Sequence, residues 1–348
     1  MFPLLLLVVV SADRIIIDTD GVTDDIRAIG LALTKTIIGT SHELLAITTV
    51  RGGVTPEQAA INVNRLLRLH NKTIPIFKGT DQALVETGPV IVWEEAFGFD
   101  GLGGVPDLNP AEVTNDVVWQ NLTAEDAIIE FSREYSNLVL VCIGPLTNIA
   151  RAIQKDPEFV SRPKKIIVLG GNFMGMGNNH NNNTGEFNFY SDPEAAQLVI
   201  SLMKSDMLII PIETINMRGA EHSEQVNFMD YLRVNTTTSK FLNATSWITQ
   251  KYMEKLGQSF VPMDDLAVAA ALNPSVIDKK ISLNVNVELA KDSGQVVVDY
   301  MSAVFNTTLN FYSSTVQDNG YGFPLRTFAY DYDPYEVNYM LKQMARSD

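Results

Sequence analysis

At 348 residues, 46% of them hydrophobic and 19% charged, the chain has enough apolar material for a large core, which excludes an intrinsically disordered protein and fits one big α/β domain or two ordinary ones. Lys and Arg total 26 against 41 Asp and Glu, and the resulting net charge of −15 disfavours nucleic acid or an anionic membrane as partner, leaving small neutral or metal-chelated molecules. The single cysteine, Cys142, excludes an intramolecular disulfide framework and reads as a small buried hydrophobe within the run Leu138 to Ile143.

Residues Phe2 to Val10 form an apolar run too short to span a bilayer, and Ser11-Ala12 offers small residues to signal peptidase. We expect a signal peptide over residues 1–12, one domain over 13–348 and a secreted protein; without cleavage the protein is cytoplasmic. Asn-x-Ser/Thr sequons at Asn71, Asn121, Asn182, Asn235, Asn243 and Asn306 suit that route. No other stretch has the length and apolarity of a transmembrane helix.

Next comes the stretch around which the chain is organised. The β-branched run Ile15-Ile16-Ile17 predicts a strand, and it empties into Asp18, Asp20, Asp24 and Asp25, four carboxylates within eight residues. Ile26, Ile29 and Leu33 then recur at helical spacing, with Asp24 suited to cap the helix. Acids crowded into one loop at a strand's carboxyl end occupy the place where open α/β sheets bind ligands, and oxygen donors without nearby Cys or His suit a hard cation, Ca²⁺ or Mg²⁺.

Leu44 to Val50 reads as a second buried strand, Thr55-Pro56-Glu57-Gln58 as a capping box, and Ala59, Val63, Leu66 and Leu67 as the inner face of the following helix. Ile74 to Phe77 is a short strand, and the Gly-, Pro- and acid-rich span from Gly79 to Asn115 a long functional loop. A helix from about Ala124 to Tyr135 leads into the strand Leu138 to Ile143, and Gly144-Pro145-Leu146-Thr147-Asn148 opens another helix. Ile166 to Leu169 and Met207 to Ile212 are further strands, separated by a Gly- and Asn-rich stretch and a helix capped by Ser191-Asp192-Pro193-Glu194. A more polar, helical region from Asn216 to Phe260 is placed over the sheet's carboxyl edge. Leu283, Val285, Val287 and Leu289 then alternate with polar residues, and Val296 to Val298 returns as an antiparallel hairpin. Short apolar runs alternating with amphipathic helices specify an open, mostly parallel twisted sheet covered on both faces, an α/β fold.

In order and spacing, several segments resemble the calcium-dependent, inosine-uridine preferring nucleoside hydrolases. They are Asp18-Thr19-Asp20 with Asp24-Asp25, Thr48 to Gly53, Asp100-Gly101-Leu102-Gly103, Gly144 to Ala150, Gly170-Gly171, Glu186-Phe187-Asn188 with Asp192 to Ala196, and Asp264 to Ala269. The resemblance covers most of the chain. It implies the Rossmann-like nucleoside hydrolase fold and hydrolysis of the bond between ribose and base through a ribosyl cation-like transition state. It further implies Ca²⁺ held by Asp20, Asp25, Asp264 and the main-chain carbonyl of Ile143, with Asp20 also the general base. Asp24, Glu186 and Asn188 would grip ribose hydroxyls, Asn178 the 5′-hydroxyl, while Asp18 orders the loop. Family members are commonly dimers or tetramers, so the resemblance implies a homo-oligomer.

This chain departs from the pattern at four places. Gly21-Val22 stand where the family usually has Pro-Gly, Gly53 where it usually has Asn, and Met263 and Phe97 where many members carry His. Without those histidines the leaving base depends on other groups, or on a purine stacked against Trp93, Phe97 or Trp247; the expectation is a purine preference. Considered individually, Glu186 and Asn188 read as a polar loop before a helix cap, Thr147 and Asn148 as loop-shaping residues, and His42, His70, His180 and His222 as exposed loop histidines. Two rival readings remain. The strand leading into Asp18-Thr19-Asp20-Gly21-Val22-Thr23 also looks like the nucleophile motif of haloacid-dehalogenase-type Mg²⁺ phosphatases, with Asp18 attacking phosphorus. The other is a secreted nucleoside binder that lost turnover.

Overall fold

β1 (Asp13–Thr19) runs through the middle of the sheet because its three isoleucines are wholly buried, on alternating faces. The computed structural model describes residues 12–34, 42–85, 93–104, 117–118, 120–178, 184–290, 293–300 and 322–347; most of the expected signal segment, His180 and the sequons at Asn182 and Asn306 lie outside them. β1 pairs in parallel with β2 (His42–Thr49) on one side and β4 (Leu138–Cys142) on the other. Beyond β2 lies β3 (Ile76–Lys78), and beyond β4 lie β5 (Lys165–Leu169) and β6 (Asp206–Ile210), all parallel.

Two helical layers follow from the period-2 burial. On the face of Ile15 and Ile17 pack α1 (Thr23–Leu33) and α2 (Pro56–Leu69); on the face of Ile16 pack α4 (Ala124–Glu134), α5 (Thr147–Lys155) and α7 (Pro193–Leu202), past the short α3 (Glu94–Phe97) and α6 (Phe187–Ser191). Thr55 caps α2 by accepting from Gln58 N at 3.2 Å, with Pro56 at the first position, and Asp192 caps α7 by accepting from Ala195 N. The helical region after β6 comprises α8 (Gly219–Ser223), α9 (Thr237–Thr245) and α10 (Trp247–Leu256). It does cover the sheet's carboxyl edge, through bonds from Thr23 Oγ1 to Thr245 O and from Trp247 Nε1 to Gly103 O.

α11 (Asp264–Leu272) packs between α1 and the β4 and β5 strands, and is buried almost all round. The expected hairpin is β7 (Lys279–Val287) with β8 (Val296–Val298), in antiparallel register with Val285 opposite Val298. A ninth strand, β9 (Leu325–Asp331), and the last helix, α12 (Pro334–Arg346), were not legible: β9 carries a mixed polar pattern and finds its place only by inserting between β6 and β7, parallel to one and antiparallel to the other. The nine-stranded order among the described residues is β3-β2-β1-β4-β5-β6-β9-β7-β8. No described helix is long and apolar enough to cross a membrane.

Chain progression reverses between β1 and β4. In sheets of this order the ligand crevice lies just outside the carboxyl ends of the strands at that reversal. Asp20 follows β1 there, and Ile143 follows β4.

Candidate active site

The turn after β1 is shaped by Gly21, held at φ +69° with Ala59 of α2 behind it; an added Cβ would stand 2.5 Å from Ala59 Cα. Helix α1 starts at Thr23 with Val22 as its cap residue, so Asp24 lies inside the first turn and is not the cap. The reason is Asp25: its carboxylate, at the third helical position, reaches back to Val22 N at 3.3 Å and satisfies that donor itself. Thr19 Oγ1 accepts from Gly21 N at 3.0 Å and donates to Asp25 Oδ1, locking the strand end to the helix start.

Two helix N-termini, those of α1 and α11, therefore present carboxylates to one point. Oxygens of Asp24, Asp25 and Asp264 all lie within 4.8 Å of one another. Asp20 lies against this trio: its charge disfavours ionisation of Asp25 and Asp264, and its Oδ2 accepts from Gly53 N at 2.5 Å. The resemblance put Asp20 among the ligands and Asp24 on the ribose; in the fold Asp24 is a member of the tightest trio and Asp20 borders it.

Burial in a crowd of like charges pushes these acids up. Desolvation raises Asp24 to about 6, opposed by the nearby Arg27 charge, and burial raises Asp20, Asp25 and Asp264 as well. Asp24 Oδ1 is buried and has no hydrogen-bond partner. An oxygen-only set that is costly when charged and leaves a buried oxygen unsatisfied fits a hard divalent cation, which would supply the missing positive charge.

Asp18 sits one layer deeper. Thr48 Oγ1 at 2.5 Å and Asn148 Nδ2 at 2.7 Å both donate to its Oδ1, while burial lifts it to about 7. Asn148 also donates to Thr49 O at 3.0 Å and Thr147 Oγ1 donates to Asp192 at 2.6 Å, so these two residues shape the loop as expected.

Opposite the acids, Glu186 caps α6 by accepting from Gly171 N at 2.8 Å, Asn188 N at 3.1 Å and Phe189 N at 3.2 Å, and burial raises it to about 7. Asn188 Nδ2 donates to Ile143 O at 3.1 Å and to Leu169 O at 3.2 Å, bridging the ends of β4 and β5. Asn178 Oδ1 accepts from Phe187 N at 2.7 Å.

On the outer rim Trp93 meets Phe97 and Tyr252 edge-on at 6.0 and 5.9 Å and Phe187 at a 35° tilt at 5.7 Å, and Phe97 packs on Val22, Val54 and Ala59. Trp93 and Phe97 thus form a wall running from the Asp loop to Glu186's neighbour. Trp247 is engaged elsewhere, its indole N–H on Gly103 O at 2.8 Å and Lys251 over its ring, and Met263 precedes Asp264 with its side chain against the core. Gly53 leaves room that Val22 takes up: a Cβ there would stand 2.7 Å from Val22 Cγ1. The departures at 22 and 53 are therefore one packing change.

The histidines in view are not exposed loop residues. His42 opens β2 and reaches Ala32 O at 2.9 Å, His70 follows α2 with Thr238 at 3.5 Å, and His222 lies on α8 against Asp331 at 2.9 Å; each finds an acceptor or donor distant in sequence. Sequence reasoning also missed Asn62, whose amide donates to Gly21 O at 2.9 Å and Asp100 O at 2.8 Å and so ties α2 to both loops. A polar residue on the inner face of α2 was the available signal.

Gly52 backs Asp20 closely, and a Cβ there would stand 2.6 Å from the Asp20 Cβ. Gly52→Ala is expected to displace the Asp20 carboxylate and, by overpacking a buried site, to lower stability by about 1–3 kcal/mol. A melting curve beside that of the parent checks it.

A mostly parallel sheet whose reversal point gathers carboxylates from two helix starts defines an α/β protein with a buried acidic crevice whose oxygen donors fit a hard cation. The profile of the inosine-uridine preferring nucleoside hydrolases matches residues 15–319. "Probable uridine nucleosidase 1" of Oryza sativa subsp. japonica is 34% identical over 193 residues, 55% of this chain and 56% of that protein, so the match spans little more than half of its length. The pyrimidine-specific ribonucleoside hydrolase RihA of Escherichia coli O127:H6 is 31% identical over 297 residues, 82% of this chain and 88% of that one. A solved plant nucleoside hydrolase superposes with a TM-score of 0.79 at 25% identity, covering 97% of this chain and 99% of that chain. The chain belongs to the inosine-uridine preferring nucleoside hydrolase family, a metal-dependent family. Membership removes the phosphatase rival.

Proposed function

We propose that this protein hydrolyses the N-glycosidic bond of ribonucleosides with Ca²⁺ seated among Asp20, Asp24, Asp25 and Asp264 and the Ile143 carbonyl. The observation that carries the proposal is the meeting of carboxylates from residues 24, 25 and 264 within 4.8 Å at the sheet's reversal point, beside Asp20. Bound there, Ca²⁺ would supply the lowered pKa of a coordinated water and its orientation. Asp20, aimed by the Gly53 N–H, takes the proton of the attacking water as the C1′–N bond breaks, and the departing base, which leaves with the bond's electron pair, takes up a proton from solvent. Asp24, Glu186, Asn188 and Asn178 line the route on which ribose hydroxyls would lie, and fixed carboxylates beside the ring favour positive charge growing on it.

Base preference is a finer part of the proposal. The Trp93 and Phe97 wall supports a stacked purine, whereas the rice and E. coli relatives are named for uridine and pyrimidines. Release of reducing ribose from a nucleoside panel, with and without chelator, tests the activity. A higher kcat/KM for inosine than for uridine is expected, and the reverse order would replace the purine reading by a pyrimidine one. Binding without ribose release would instead support the binder.

Secretion and a homo-oligomeric state belong to the same proposal. The sequon asparagines in view, Asn71, Asn121, Asn235 and Asn243, are all exposed, which supports a glycosylated, exported chain.

A further inference from the structure

Behind the acidic cluster lies a buried ion pair that the chemistry above does not use. Arg27 of α1 and Asp265 of α11 are each no more than 2% exposed. Arg27 Nε donates to Asp265 Oδ1 at 2.8 Å and to Oδ2 at 3.0 Å, and Nη2 donates to Oδ2 at 2.7 Å, so both carboxylate oxygens are taken by one guanidinium fork. The Phe260 ring covers the guanidinium at 4.7 Å.

The position of this pair is what matters. Arg27 stands one helical turn after Asp24 and two residues after Asp25, and Asp265 follows Asp264 directly. The two helices therefore carry the two halves of the acidic cluster on their first turns, and the fork joins them immediately behind it. Like charges at Asp24, Asp25 and Asp264 push the two helix starts apart, whereas the fork resists that separation. A fork also fixes direction, which a lone ammonium does not. Holding both oxygens of Asp265 keeps that fifth carboxylate out of the cluster and cancels its charge.

We infer that Arg27 and Asp265 are positioning residues that set the spacing of the Asp24–Asp25 and Asp264 halves of the cation site. The inference rests on the Ca²⁺ reading given under Proposed function. Replacing one partner leaves the other charged and buried, which endangers folding, so two variants that avoid this are used: Arg27→Lys, which keeps the charge and loses the fork, and the double variant R27M/D265L, which fills the space with apolar groups. Each is titrated with Ca²⁺ by calorimetry after chelation, and its melting temperature is measured in chelator.

For both variants the Ca²⁺ dissociation constant is expected to rise at least tenfold, roughly the lower bound for loss of groups supporting metal ligands, while the chelated melting temperature of the double variant stays near that of the parent. Unchanged Ca²⁺ affinity in either folded variant overturns the inference, since a mere brace would alter the melting temperature alone. Failure of the parent protein itself to take up Ca²⁺ separates the two claims: it removes the metal reading, and with it the inference, before any variant is compared.

Discussion

Asp20→Asn is expected to lower kcat/KM for the preferred nucleoside by about 10³-fold, the middle of the range for loss of a general base, with ribose release as the readout. The variant preserves shape: an asparagine oxygen still accepts from Gly53 N, so the loop at residues 52–53 keeps its anchor. Stability moves the other way. Burial opposes ionisation of Asp20, so replacing it by a neutral amide removes an unfavourable charge, and in chelator the variant is expected to melt no lower than the parent. Activity within threefold of the parent would remove Asp20 from the chemistry.

Chelation makes the second large effect, through pH. Asp18 and Glu186 are raised to about 7 and Asp24 to about 6, each chiefly by burial, with Asp20, Asp25 and Asp264 raised alongside. A carboxyl whose folded pKa lies above its unfolded value keeps more protons in the folded state. Its stability contribution is therefore complete below pH about 4 and is lost as pH climbs through the folded values towards 7. The chelated protein is expected to lose melting temperature between pH 5 and 8, by on the order of 10 °C for a chain of this size. Saturating Ca²⁺ favours the charged carboxylates and binds only the folded state, so the gap between loaded and chelated protein should widen with pH. Melting curves at five pH values, with Ca²⁺ and with chelator, read this directly; a gap that is absent or independent of pH contradicts a cation among these acids.

Much of the fold was legible because local periodicity records which face of an element is buried. Ile15 to Ile17, Leu138 to Cys142 and Ile166 to Leu169 are continuous apolar runs, as strands covered on both faces must be. β9 resisted for the converse reason. Thr327, Tyr330 and Asp331 interrupt its apolar residues, and its partners β6 and β7 lie more than 35 residues away in sequence. The cap of α1 was misplaced by two residues, since Asp25 satisfies the Val22 N–H and leaves Asp24 free for the cluster.

By itself the amino-acid sequence determined that acids would crowd the loop after the first strand, that their donors would be oxygen, and that an acidic pair near residue 264 belonged to the same family pattern. Only the tertiary structure decided how those acids meet: that Asp24 joins Asp25 and Asp264 while Asp20 borders them, that Val22 occupies the space beside Gly53, and that Arg27 grips Asp265 across 238 positions. Local sequence carries charge and periodicity, but distances between segments far apart along the chain are set by the packing of helices on the sheet, which no single segment encodes.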